Sequence, residues 1–413
     1  MLSHEAHKIP YPKVSGCVMA LDWSQALAGR TARIKPSTIR EILKLTQRSE
    51  VVSFAGGLPA PSLFPVEKLK EATANVLEQQ GSSALQYSTT EGYLPLREWV
   101  ADGLTVNAEQ VQVVSGSQQG LDLVAKVLLD PGDKVIVTSP TYMGALRAFD
   151  AYEADYLSVP VDEEGMILEE LESALKQNPK LIYAIPNFDN PTGTTLSLKR
   201  RHKVVELAKR YGIPIYEDDP YGELRFEGEP LPSLYSLAPE HVIYAGTFSK
   251  IMVPGFRLGW LVAEPDLLTV IARAKQAADL HSSTFTQMIA HEVTKDGFMA
   301  SQIDKVRKHY LTQRNAMLTA LEAYFPPEVT WTVPTGGMFL WVTLPEGNDT
   351  VKLLDKAVDQ NVAYVPGGPF FATGGGDHTL RLSYSIASLA EIDEGMKRLG
   401  SVLKEHMVTP QLA

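Results

Sequence analysis

A lysine, an aspartate and an arginine stand out for where they fall along the chain. Lys250 follows the apolar run Val242-Ile243-Tyr244-Ala245 and the polar stretch Gly246-Thr247-Phe248-Ser249, with Arg257 seven residues further on. Partial burial and a cationic neighbour push a lysine amine toward its neutral form, which Schiff-base chemistry with a carbonyl requires. Arg257 supplies a guanidinium suited to a two-pronged grip on phosphate. Asp218 ends a second apolar run, Ile213-Pro214-Ile215-Tyr216, with Tyr221 three residues later. No His or Cys lies close to it in sequence, so a metal is the weaker option. A carboxylate facing a pyridinium nitrogen keeps that nitrogen protonated and lets the ring act as an electron sink. The loop Ser115-Gly116-Ser117-Gln118 opens a helical pattern and offers free backbone N–H groups to an anion. Neither a P-loop nor a G-x-G-x-x-G fingerprint is present, so a phosphate monoester fits better than a nucleotide.

These residues need elements that bring them to one face. From about residue 110, short apolar runs (111–114, 134–137, 181–185, 213–216, 242–245 and 258–262) alternate with helical stretches. Such alternation predicts a mostly parallel sheet covered by helices on both faces. Ligands bind such sheets beyond the carboxyl ends of the strands, where Ser139 to Tyr142 and Pro186 to Gly193 also fall. After about residue 286 the pattern changes to a long helical stretch to about 324, strand-like pieces at 329–333 and 338–342, and helices near 350–359 and 389–405. That reads as a smaller α+β unit. Near the start, Thr38-x-x-Glu41 is a capping-box pattern that predicts a helix over about 38–47. The expected organisation is an N-terminal arm and helix over 1–50, a large α/β domain over 51–285 and a smaller domain over 286–413.

Composition narrows the class. The 413 residues are 44% hydrophobic and 21% charged, with a net charge of −11, which fits a globular chain and argues against a nucleic-acid surface. One cysteine, Cys17, excludes an internal disulfide and points to a reducing, cytoplasmic setting. No apolar run approaches the ~18 residues a membrane span needs. With no apolar h-region before it, Cys17 is not read as a lipoprotein cleavage site.

Pro186-Asn187-Phe188-Asp189-Asn190-Pro191-Thr192-Gly193, followed by Ser249-Lys250-x-x-x-Pro254-Gly255-x-Arg257-x-Gly259, resembles the class I/II aminotransferases. These are pyridoxal-phosphate enzymes of fold type I, and the resemblance runs from about residue 30 to 405. It implies an α/β fold whose large domain holds a mostly parallel seven-stranded sheet, joined to a smaller α+β domain. It implies that Lys250 carries pyridoxal 5′-phosphate as a Schiff base and later moves the substrate proton. It places Asp218 on the pyridine nitrogen, Asn190 and Tyr221 on the phenolic oxygen, and Tyr142 against the ring. Ser117, Gln118, Thr247 or Ser249, and Arg257 would hold the phosphate. Tyr87 would reach the phosphate of a neighbouring subunit, implying a homodimer with shared active sites. Arg381, in Leu380-Arg381-Leu382-Ser383-Tyr384, would clamp the substrate α-carboxylate.

A narrower likeness covers Phe54 to Pro61, Gln86 to Tyr93 and Val365 to Phe371, which resemble the 2-aminoadipate aminotransferase branch. It implies a substrate-binding place for Gly57 beside Asn190, and contacts from Ser37 and Arg40 to the distal group of the substrate. The expected reaction moves an amino group between 2-aminoadipate and 2-oxoglutarate, as in lysine biosynthesis. Kynurenine, aromatic and branched-chain donors are the alternatives, and a lyase on the same fold is a rival. A cofactor-sensing transcription regulator is disfavoured, since about 35 residues of irregular arm leave no room for a DNA-binding module. Asp189 departs from the pattern, either altering the pocket or facing solvent. His281 is expected to be structural, and Met338 and Phe339 are expected in the core.

Overall fold

The computed structural model describes residues 21–34 and 50–408. The helix expected over 38–47, with Ser37 and Arg40, lies outside the described residues. So does Cys17.

Strand β1 (Val52–Ser53) precedes eight strands that form one sheet: β2 (Val111–Val114), β3 (Lys134–Ser139), β4 (Asp155–Asp162), β5 (Gly165–Met166), β6 (Leu181–Ala184), β7 (Ile215–Asp218), β8 (Val242–Thr247) and β9 (Gly259–Val262). Their order is β2-β9-β8-β7-β6-β3-β4-β5. The pairs from β8 through β4 are parallel, while β9 runs antiparallel to both its neighbours and β5 returns antiparallel along β4. The expected mostly parallel sheet is present, and the two residues of β5 add a short eighth strand at its edge. Strands β2, β6, β7, β8 and β9 are buried along their whole length, as strands covered on both faces must be. Strand β4 is half exposed and includes Pro160, so it lacks the apolar continuity of the others.

Helices begin where the local chemistry supplies a cap. The Ser197 hydroxyl caps Leu198–Tyr211, and a reciprocal Ser388–Glu391 box opens Leu389–His406. The stretch expected as one helix to about 324 is two, Thr284–Thr294 and Phe298–Tyr324, separated by a turn at Gly297. Downstream, β10 (Thr330–Trp331), β11 (Phe339–Thr343), β13 (Val365–Pro366) and β14 (Thr379–Ser383) form an antiparallel sheet in the order β10-β11-β14-β13. Strand β12 (Val362–Ala363) instead pairs in parallel with β1, joining the start of the chain to its last third. Phe54 O then accepts the backbone N–H of Ser383 at 2.8 Å, which extends this tie to β14.

Candidate active site

The carboxyl ends of β6, β7 and β8 open onto a cavity of about 400 Å³ between the two sheets. Lys250 and Asp218 come from the ends of β8 and β7, Asn190 from the loop after β6, and Arg381 from β14. The strand-end positions identified in the sequence therefore do converge. Gly57, Ser117, Gln118, Tyr142, Tyr221, Thr247, Ser249 and Arg257 line the same cavity.

Lys250 Nζ donates to Gly57 O at 2.8 Å. Burial brings its amine down to about 8, helped by the nearby Arg381 and Arg257 guanidinium groups, while Asp218 pulls the other way. Asp218 is 2% exposed, and burial pushes its carboxyl up to about 7 against the hydrogen bond from Tyr183. Tyr183 donates its hydroxyl to Asp218 Oδ2 at 2.9 Å, whereas Oδ1 is buried without a protein partner. A buried carboxylate oxygen left unpaired is costly, so Asp218 is prepared for a cationic donor from a ligand. Tyr183 escaped the sequence reading. A polar-tipped aromatic in the middle of an otherwise aliphatic buried strand was the available signal.

The floor of the cavity is an anion cradle. Gly116, at φ 83°, turns the chain from β2 into helix Ser117–Leu128, leaving the first amides of that helix unpaired by the helix itself. A Cβ on Gly116 would come within 2.7 Å of the Arg257 guanidinium, so the missing side chain is what lets Arg257 lie over the turn. Among the described residues Arg257 makes no ion pair with a carboxylate, leaving its charge for a ligand. Ser249 N–H donates to Thr247 Oγ1 at 3.1 Å, and the two hydroxyl oxygens lie 2.9 Å apart, which fixes both side chains beside Arg257. A phosphate fits this donor set of hydroxyls, guanidinium and helix amides.

Arg381 is 1% exposed and lies over the rings of Phe339 and Phe370, at 4.2 and 5.2 Å. It donates to Asn190 Oδ1 and to Ala55 O, both at 2.7 Å, and its Nε is buried without a partner. Burial draws its guanidinium down to about 10. A buried, fixed guanidinium with a donor to spare is a carboxylate receptor. Burial raises the Tyr221 phenol, which lies against the Asn190 amide, and pushes the Tyr142 phenol up to about 12. Gly144 leaves the space that the Tyr142 ring occupies, since a Cβ there would come within 2.3 Å of it.

One expectation changes. Asp189 neither faces solvent nor enters the cavity: it is 5% exposed beneath the Asn190 turn, with Thr192 donating to its Oδ2 at 3.0 Å. Phe339 is fully buried as expected, packed behind the site against Arg381 and edge-on to Tyr221 at 5.8 Å. Tyr87 lies outside this cavity and is 78% exposed, with its ring edge-on to His281 at 5.8 Å. His281 is structural, bonded through Nε2 to Ser88 N–H and through Nδ1 to Ser282 O. Among the described residues no cluster of metal-ligating side chains occurs, and no helix is long and apolar enough to cross a membrane.

Comparison with known proteins identifies relatives that share this architecture. A family model described as aminotransferase class I and II matches residues 50–399. The chain is 49% identical over 389 residues to a 2-aminoadipate transaminase of Thermus thermophilus, covering 93% of this chain and 98% of that one. It is 46% identical over 400 residues to aromatic-amino-acid aminotransferase 1 of Thermococcus litoralis, covering 94% and 96%. Among solved structures, an alpha-aminoadipate aminotransferase from Thermus thermophilus, complexed with N-(5′-phosphopyridoxyl)-L-leucine, superposes with a TM-score of 0.89 at 47% identity, covering 93% of this chain and 99% of that one.

Proposed function

Because the chain belongs to the class I and II aminotransferases, and so uses pyridoxal 5′-phosphate, we propose that it moves an amino group between 2-aminoadipate and 2-oxoglutarate. The observation that carries the site assignment is the meeting of three prepared groups in one cavity: the Lys250 amine, the unpaired Asp218 Oδ1 and the unpaired Arg381 Nε. When bound, the cofactor supplies an electron sink for the carbanion left at the substrate α-carbon.

The chain's own residues do the rest. Lys250 would hold the cofactor through its amine, and that amine is placed to move the substrate's α-proton. Gly57 O, which accepts from Nζ, aims that amine along the cavity. Asp218 holds a proton on the ring nitrogen, and Tyr183 orients the carboxylate. Asn190 and Tyr221 would hold the phenolic oxygen, and Tyr142 would cover the ring. Ser117, Gln118, Thr247, Ser249 and Arg257 receive the phosphate. Arg381 grips the α-carboxylate with a geometry fixed by Asn190, Ala55 and the two phenylalanine rings.

The substrate choice rests on the relatives and on residues outside the described part of the chain, Ser37 and Arg40, whose hydroxyl and guanidinium suit a distal carboxylate. An aromatic donor is the second reading, favoured by the 46% identity to the aromatic-amino-acid enzyme. The division at about residue 285, the cytoplasmic setting and the homodimer belong to the same proposal. Tyr87, exposed and away from its own cavity, suits a contact with a second copy. The test is kcat/KM with 2-oxoglutarate for 2-aminoadipate, kynurenine, phenylalanine and leucine. The assignment fails if 2-aminoadipate is not among the best donors. Replacing Arg40 by Ala should hurt acidic donors preferentially, and an equal loss for all donors would leave Arg40 a structural residue.

A further inference from the structure

Outside the cavity, the feature that calls for an explanation is a buried lysine paired with a partly exposed aspartate. Lys275 is fully buried and donates to Asp279 Oδ1 at 2.6 Å. A buried ammonium is costly without its counter-ion, so the other partners of that aspartate are informative. Asp279, the last residue of helix Pro265–Asp279, accepts through Oδ2 from Gln119 Nε2 at 2.7 Å and from Ser115 Oγ at 3.2 Å. Gln119 Oε1 in turn accepts the Ser115 backbone N–H at 2.7 Å. Ser115 and Gln119 bracket Gly116, Ser117 and Gln118, the residues that form the floor of the cavity. From Ser115 the contacts continue to Ser282 Oγ at 3.1 Å, and Ser282 O lies 2.8 Å from His281 Nδ1. His281 accepts from Ser88 N–H and carries the Tyr87 ring against its edge.

We propose that Asp279 is a positioning residue for the phosphate cradle: charged by Lys275, it clamps Gln119 and Ser115 and so fixes the turn whose amides receive the phosphate. The same carboxylate, through Ser115 and Ser282, steadies the His281–Tyr87 segment. It touches neither cofactor nor substrate, and its effect is confined to the phosphate end of the site. This rests on the reading of Ser117, Gln118 and Arg257 as the phosphate site.

The test compares the cofactor-free full chain for binding of pyridoxal phosphate and of pyridoxal, which lacks the phosphate, by titration of the visible absorbance. Asp279→Asn and Gln119→Ala should each weaken pyridoxal phosphate by about tenfold, the scale of one hydrogen bond between fixed groups, and leave pyridoxal unchanged. Asp279→Asn leaves Lys275 buried without its partner, so the double variant Lys275→Met/Asp279→Asn is measured with it. Gln119→Ala keeps the ion pair and therefore the fold. Equal weakening of both ligands in Gln119→Ala, or no change in either, overturns the proposal. Arg257→Gln is the reference: if it alone lowers the preference for the phosphorylated ligand, the clamp is wrong while the cradle stands. If even Arg257→Gln leaves the preference intact, the cradle reading fails and the proposal with it.

Discussion

Two groups with displaced proton affinities, the part-buried Lys250 and the buried Asp218, govern how the site should respond to pH. The Lys250 amine titrates near 8 because burial, then Arg381 and Arg257, disfavour its charged form. Only a neutral amine attacks a carbonyl, so the rate of cofactor loading should rise about tenfold per pH unit up to about 8 and then flatten. Stopped-flow loading of cofactor-free protein checks this, and a flat profile below 8 would count against it. Lys250→Ala should lower transamination by at least ~10²–10⁴-fold, the range of a positioned proton-transfer group, while the melting temperature stays near that of the parent. Asp189 offers a stability test. Burial raises its carboxyl to about 7, so the folded protein keeps a proton that the unfolded chain releases above its ordinary range near 3.8. Its contribution to stability is therefore full at low pH and falls as pH rises through that window. Asp189→Asn should make the stability of the cofactor-free protein less dependent on pH between about 4 and 7, by on the order of a few kcal/mol. Denaturant unfolding at several pH values measures it, and an unchanged slope would contradict the buried placement.

Elements carry the next prediction, because the cradle depends on a backbone conformation. Gly116→Ala demands a side chain at φ 83° and drives a Cβ to within 2.7 Å of the Arg257 guanidinium. It should weaken pyridoxal phosphate by ~10²-fold, the scale for displacing a positioned group by about an ångström. Gly103, inside helix Leu94–Leu104 with open space around it, is the contrast: Gly103→Ala should be neutral or stabilise by up to ~1 kcal/mol. Calorimetry of both variants with and without cofactor separates the cases. The elements were unevenly legible in the sequence. Strands β2, β6, β7 and β8 announce themselves as continuous apolar runs, and their ends gave Asp218, Asn190 and Lys250. Strand β4 was not legible, since its half-exposed position next to the edge strand mixes Asp155, Ser158 and Pro160 with apolar residues. The antiparallel course of β9 was not legible either, because strand direction leaves no trace in a run of four buried residues. The clamp at Asp279 escaped for another reason: its partners Gln119 and Ser115 are about 160 residues away, and no local pattern links them.

On the scale of the whole molecule, the surface around Tyr87 is the guide. Leu85, Tyr87, Leu94 and Leu280 are exposed by 71%, 78%, 51% and 52%. A surface with several large apolar side chains of this kind marks a protein contact. Light scattering should therefore give twice the 45.3 kDa of one chain, and a monomer at working concentrations would remove the shared-site part of the proposal. The sequence could suggest this contact only through the likeness of the Gln86 to Tyr93 segment, because an exposed tyrosine has no periodic signature. One further relation spans the molecule. The strand pair β1–β12 fixes Val52 to Val362, Phe54 O holds Ser383, Ala55 O holds Arg381 and Gly57 O holds Lys250. Six consecutive residues thus form one strap, anchored on the antiparallel sheet at one end and on the reactive amine at the other. The backbone partner of the carboxylate-binding arginine and that of the reactive lysine thus sit two residues apart on one segment, so a displacement of that segment would alter both contacts together.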